Sequence, residues 1–175
     1  MMKSKFAIFA VALLISTSMM AQSLQEGINH MYAQRHKSAV ATFESLISKN
    51  PNNIEATYWL GQAHIAMQDS AGAKALYEKA LMANGNAPLL LVGMGHVELY
   101  FHKKDEARQR FETALNLSKS KKGNDPVVLN AIGKANVDAK AGDVVYAIAK
   151  LNEAVTRDDS KKPNPDIFLN LGNAY

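Results

Sequence analysis

Five histidines and a scatter of carboxylates are the residues in this 175-residue chain whose chemistry could reach beyond packing. A metal site needs ligands that converge, and one helix face brings residues together only at spacings of three or four. His30 and His36 are six apart, as are His96 and His102, so neither pair shares a face. With no cysteine in the chain, none is available to complete a site. Asp143, Asp158, Asp159 and Asp166 could be imagined as acid–base pairs. They fall at turns and helix starts, where carboxylates cap exposed N–H groups and oppose the helix dipole. There is no Gly-rich phosphate loop, and no Ser or Thr stands in a nucleophile-elbow context. The expectation is no catalytic residue, no cofactor and no metal, and therefore no enzyme and no small-molecule substrate.

The elements that position these residues repeat. Gly27, Gly61 and Gly95 recur at a spacing of 34, as do Ala39, Ala73 and Ala107, and Phe43, Tyr77 and Phe111. A period of 34 with two small residues and an aromatic at fixed offsets signals an array of helix–turn–helix units. Such a unit is too small to bury its own apolar face, so neighbours stack and share one core. Two helices crossing at close range need a residue without bulk at the contact, and the aromatic one turn beyond the Ala fills the volume beside it. Phe43, Tyr77 and Phe111 are therefore expected in the core, as are Met31, Met67, Met82 and Met94 at apolar helical spacing.

In register, the units run over about 23–53, 54–87, 88–122 and 126–160, with an incomplete fifth over 165–175. Asn50-Pro51-Asn52-Asn53 ends the first and Gln68-Asp69-Ser70 turns the second. Pro88 suits a first helical turn. The fourth unit departs from strict period. Four residues enter the Ser118–Asp125 loop and two more enter near Ala141-Gly142-Asp143, both at turns, where stacking tolerates them. The fifth stops within a first helix, whose outer apolar face is expected to stay uncovered.

Composition adds bounds. Hydrophobic residues at 47% and charged residues at 21% suit a folded protein rather than a disordered one. The net charge of +4 includes Lys3 and Lys5, which open a secretory pattern: an apolar run Phe6–Ile15, then Ser16–Ala21 before Gln22. Ten apolar residues are too few for a bilayer, where about 20 are needed. Residues 1–21 read as a signal peptide, cleaved after Ala21. Without Cys there is no lipid attachment point and no disulfide, and the helical core must suffice alone. So small a mature charge gives no reason to invoke nucleic acid, and Lys119-Ser120-Lys121-Lys122-Gly123 reads as a solvated connector.

Leu60-Gly61 with Ala73, Tyr77 and Ala80, and Met94-Gly95 with Ala107, Phe111 and Ala114, resemble the tetratricopeptide repeat family. Gly27, Ala39, Phe43 and Pro51 follow the same pattern, with Glu26 where Leu is usual, and Leu151 replaces the aromatic in the fourth unit. The resemblance covers 22–175 and implies an all-α, right-handed α-solenoid of four helix pairs plus the first helix of a fifth. It also implies a concave face lined by the first helix of each pair. Carried over, that face takes Glu55, Tyr58, Gln62 and Ile65, then Leu89, Val92, His96 and Leu99, then Asn130, Lys134 and Val137. His30 and His64 occupy equivalent positions, where the family has Tyr, and are expected to pack. The function implied is an exported scaffold, in the periplasm or at the outer membrane of a Gram-negative bacterium or secreted. It would bind a peptide or another protein in the groove, with no membrane anchor of its own in this segment. The alternative is the N-terminal array of a longer cell-envelope protein whose later domain, enzymatic or cell-wall binding, carries the function.

The leader yields a direct test. Intact-mass measurement of the exported protein should show a chain beginning at Gln22, and one that retains Met1–Ala21 would remove the export reading.

Overall fold

The computed structural model describes residues 23–175, so the signal peptide expected over 1–21 lies outside the described residues. Every regular element among them is helical, apart from an isolated bridge between Ser120 and Gly123. The described residues divide into two compact units, one ending at Met67 and the other Gln68–Tyr175.

In the first unit, α1 covers residues 23–32, α2 covers His36–Lys49 and α3 covers Ile54–Ala66. A Cβ added to Gly27 would sit 2.4 Å from the Phe43 ring, so α1 and α2 approach too closely for any larger residue there. Phe43 and Ala39 are fully buried at that contact, and α3 packs on α2. Asn50 ends α2, and Asn53 caps α3 by accepting from the Ala56 N–H at 3.0 Å.

The second unit holds α4 (Ser70–Ala83), α5 (Pro88–Tyr100), α6 (Lys104–Ser118), α7 (Pro126–Asp138), α8 (Val144–Arg157) and α9 (Pro165–Ala174). Prolines open α5, α7 and α9, where the missing N–H costs nothing. Asp69, Asp125, Asp143 and Asn164 cap α4, α7, α8 and α9 through their side chains. The helices pack in pairs, α5 on α6 and α7 on α8, while the leading helices also pack along their own row, α5 on α7 and α7 on α9. The close contact of the first unit recurs: a Cβ on Gly95 would meet Phe111 at 2.5 Å, and one on Gly133 would meet Leu151 at 2.4 Å. Tyr77, Phe111 and Leu151 are buried, as the aromatic spacing predicts.

Two methionines depart from expectation. Met94 is buried, but Met67 and Met82 are exposed, Met82 at 88%. Ala73 and Tyr77 mark the buried face of α4, and Met82, five residues past Tyr77, has rotated to the opposite side. On α9, Ile167 is buried while Phe168 and Leu169 are half exposed.

Glycines of two kinds follow from these contacts. Gly95→Ala drives a methyl into an enclosed ring and should cost about 1–3 kcal/mol in chemical denaturation. Gly172, inside α9, has nothing within 4 Å of an added Cβ. Gly172→Ala should therefore be neutral or stabilising, by up to about 1 kcal/mol from helix propensity. Equal effects of the two substitutions would contradict the packing described.

Candidate partner-binding surface

The residues singled out from the sequence divide sharply by burial. In the first unit, Glu55 is exposed, but Tyr58, Gln62 and Ile65 are buried, with Tyr58 edge-on to Trp59 at 5.6 Å. In the second, Val92, His96 and Leu99 are buried, and of the four α5 residues singled out only Leu89 keeps partial exposure. The surface expected from these offsets is thus corrected at Tyr58, Gln62, Val92 and His96, and at Ile65 and Leu99 beside them. For α5 the cause is its sequence. The helix is apolar on every side, it packs on α4, α6 and α7, and every residue from Leu90 to Leu99 is buried.

On α7 the outcome differs. Asn130, Lys134 and Val137 keep partial exposure, and Val127, one turn before Asn130 on the same face, is 49% exposed. Lys134 pairs with Asp138 one turn on. Asn130 accepts a hydrogen bond at 2.9 Å from the Asn170 amide of α9, fixing these neighbouring leading helices to each other. Asn170 escaped the sequence reading because it lies off the expected groove offsets. Its buried amide is legible only once Asn130 stands opposite.

Behind this row lies His96, whose ring is 5.4 Å from that of Tyr100. Burial drives its pKa down to about 3, Asp138 opposing the shift and Lys134 adding to it. The imidazole is therefore neutral in the fold near neutral pH. Burial, with help from Asp138, raises the Tyr100 phenol. The α5–α7 seam is thus a neutral packed layer behind a surface that carries one ion pair and exposed aliphatic area.

At the other end of these helices a cleft of about 520 Å³ opens among Leu99, Arg108, Phe111, Gly142, Asp143 and Val145. Arg108 lies 3.3 Å over the Tyr146 ring and bonds Asp143 at 2.9 Å, while the Tyr146 hydroxyl donates to Glu112 at 2.8 Å. Burial first and Glu112 second push the Tyr146 phenol well above its ordinary range. These contacts join Arg108 and Glu112 of α6 to Asp143 and Tyr146 at the start of α8.

Three of the four carboxylates considered for acid–base work are otherwise engaged. Asp143 accepts from the Tyr146 N–H at 3.0 Å. Asp158 accepts from the Ser160 and Asn164 N–H groups at 3.1 and 2.7 Å, and a hydrogen bond from the Ser160 side chain, followed by these backbone bonds, lowers its pKa. Asp159 pairs with Lys122 at 2.7 Å. Asp166 sits in the first turn of α9. His30 and His64 are partly buried, in keeping with packing. No three potential metal ligands converge among the described residues, and no described helix is long and apolar enough to cross a membrane.

The profile of the tetratricopeptide repeat family matches residues 30–91. Among solved structures, the chain is similar to one from the APC/C hetero-tetramer Cut9-Hcn1, with a TM-score of 0.59 and 18% identity. That match covers 89% of this chain and 30% of the other, so this chain spans under a third of its length. It is also similar to pilF of Pseudomonas aeruginosa, with a TM-score of 0.53 and 16% identity, over 89% of this chain and 67% of that one. Likenesses at such identity establish the fold.

The neutral His96 gives a pH signature. The unfolded chain binds a proton near 6.5 that the folded chain refuses until about 3, so this contribution is complete above 6.5 and is lost as pH falls between them. The melting temperature should drop across that window, and less steeply in His96→Gln. Parallel curves for the two proteins would show that the imidazole is protonated in the fold.

Proposed function

The chain is a tetratricopeptide repeat protein, and from that premise we propose that it is an exported, non-catalytic scaffold. It holds a peptide or protein segment against the leading-helix face of its second unit. The observation that carries this reading is the surface of α7 and α9. Val127 and Leu169 are each half exposed there, and between Val127 and Lys134 stands the Asn130 amide. Leu169 holds in α9 the place that Asn130 holds in α7, four residues after the opening proline of each helix. Aliphatic area alternating with amide and ammonium donors suits an extended polypeptide, whose side chains supply apolar anchors and whose carbonyls need donors. Asn130 is already oriented by Asn170, so its capture of a ligand costs little further order.

The contact set proposed is therefore narrower than the sequence implied. Leu89, Asn130 and Lys134 stay in it, Val127 and Leu169 join it, and Val92 and His96 support it from beneath. Glu55, on the first unit, is an exposed residue of the same offset series. Export rests on the leader pattern alone. The non-catalytic reading rests on carboxylates committed to backbone amides, to Lys122 and to Arg108.

Reversing Lys134 to Glu together with Leu169→Ala should weaken capture of the native partner by roughly thirtyfold, a hot-spot loss of about 2 kcal/mol. The melting temperature should hold, since neither residue is buried. Retention of full binding by the double variant would place the contact elsewhere.

A further inference from the structure

Read alone, Lys119–Gly123 is too narrow to be more than a connector. The fold changes that by setting a second loop, which carries Lys161 and Lys162 beside Asp158 and Asp159, against it. The α6–α7 connector and the α8–α9 connector touch through Lys122 and Asp159 at 2.7 Å, and the Arg157 guanidinium donates to the Lys122 carbonyl at 2.5 Å. Both loops are internally fixed. Ser120 and Gly123 exchange two backbone hydrogen bonds, and the Asp158 carboxylate accepts from Ser160 and Asn164. Gly123 has φ +114 and its missing Cβ leaves room for Arg157, whose nearest atom would lie 2.6 Å away. The lysines are therefore displayed from a built surface.

Lys122 and Arg157 are consumed in holding the loops together. Lys119, Lys121, Lys161 and Lys162 are exposed and make no ion pair with any described residue. From this juxtaposition we propose that the paired loops form a second docking surface, for an acidic polypeptide segment whose carboxylates are interspersed with neutral residues. Three features favour that occupant over other polyanions. Residues 119–125 and 158–164 contain no aromatic ring on which a nucleobase could stack. They contain no large aliphatic side chain to enter a bilayer interface. The exposed Lys122–Asp159 pair carries no net charge, so a uniform run of phosphates leaves a charge unmatched there, whereas a polypeptide can place a neutral residue opposite it.

The proposal extends the scaffold reading to a surface outside the leading-helix face. Its test uses the whole mature chain, a labelled peptide of alternating Glu and Gly, an oligonucleotide of equal charge and phosphatidylserine vesicles. The peptide should bind with an affinity that falls as salt rises. Replacing Lys119, Lys121, Lys161 and Lys162 by Glu should weaken it at least about tenfold, and replacement by Gln should weaken it less, with helicity and melting temperature unchanged. Lys134→Glu should leave peptide binding as it was, which separates this surface from the α7–α9 face. Undiminished binding by the Glu and Gln variants would overturn the proposal. So would tighter binding of the oligonucleotide or the vesicles than of the peptide.

Discussion

Close approach between a glycine and the large side chain of the following helix is the contact on which the described pairs depend. Gly27 against Phe43, Gly95 against Phe111 and Gly133 against Leu151 all leave less than 2.6 Å for an added carbon. With the backbones that near, a large side chain fills the crossing completely, and the rest of each helix face is brought to packing distance. The contact is local in sequence, with partners 16 residues apart in two pairs and 18 in the third. Each pair can thus form without waiting for distant chain, and a repeat array can build by addition. The third pair shows which part of the device is essential. Leu151 does the work of the ring, because volume at the crossing matters more than aromatic character.

The same economy explains which side chains are left for recognition. A leading helix with neighbours on several sides has little surface to spare, and α5 uses all of it except its ends. Offsets from a repeat pattern locate residues such as Val92 and His96 on the correct helix. They say nothing of how far neighbouring helices close over them, since that depends on contacts between units of the array. Burial of a histidine at such a position is affordable only in the neutral form, and the low pKa of His96 is the electrostatic consequence. Lys134 escapes because its long stem reaches past the packed layer to Asp138.

How much was legible in the sequence follows from the range of each interaction. Helix ends were legible because Asn53, Asp143 and Pro88 act on atoms within a turn of themselves. The buried aromatics were legible because the period that marks them is the period of the packing. Met82 was misread, since apolar type does not fix direction on a helix whose other face is already filled by Ala73 and Tyr77. The joining of the 119–123 and 158–162 loops was illegible for a different reason. It depends on the four-residue insertion that lengthens the α6–α7 connector, and the pairing of Lys122 with Asp159 has no counterpart at a spacing of 34.

A second insertion shows how an array absorbs a change in length. Three turns each place one non-glycine residue at positive φ: Gln34 at 55 before α2, Gln68 at 64 before α4 and His102 at 59 before α6. These positions are also 34 apart, yet their residue types give no hint of it. A left-handed residue there costs roughly 1 kcal/mol and returns the chain sharply into the next helix. The fourth pair has no such residue. Ala139 ends α7 in an extended conformation, and the two added residues form a wider turn closed by Gly142 N–H to the Ala139 carbonyl at 2.8 Å. Asn136 completes it: its amide donates to the Ile132 carbonyl, and its oxygen accepts from the Asp143 N–H at 3.1 Å. Gly142 is held so close that an added carbon would lie 2.0 Å from the Asn136 carbonyl oxygen. A buried side-chain amide thus replaces a strained backbone conformation. The widened turn sets Asp143 both to cap α8 and to receive Arg108, and α8 stays tied to α6 although the period that first identified the array has been lost.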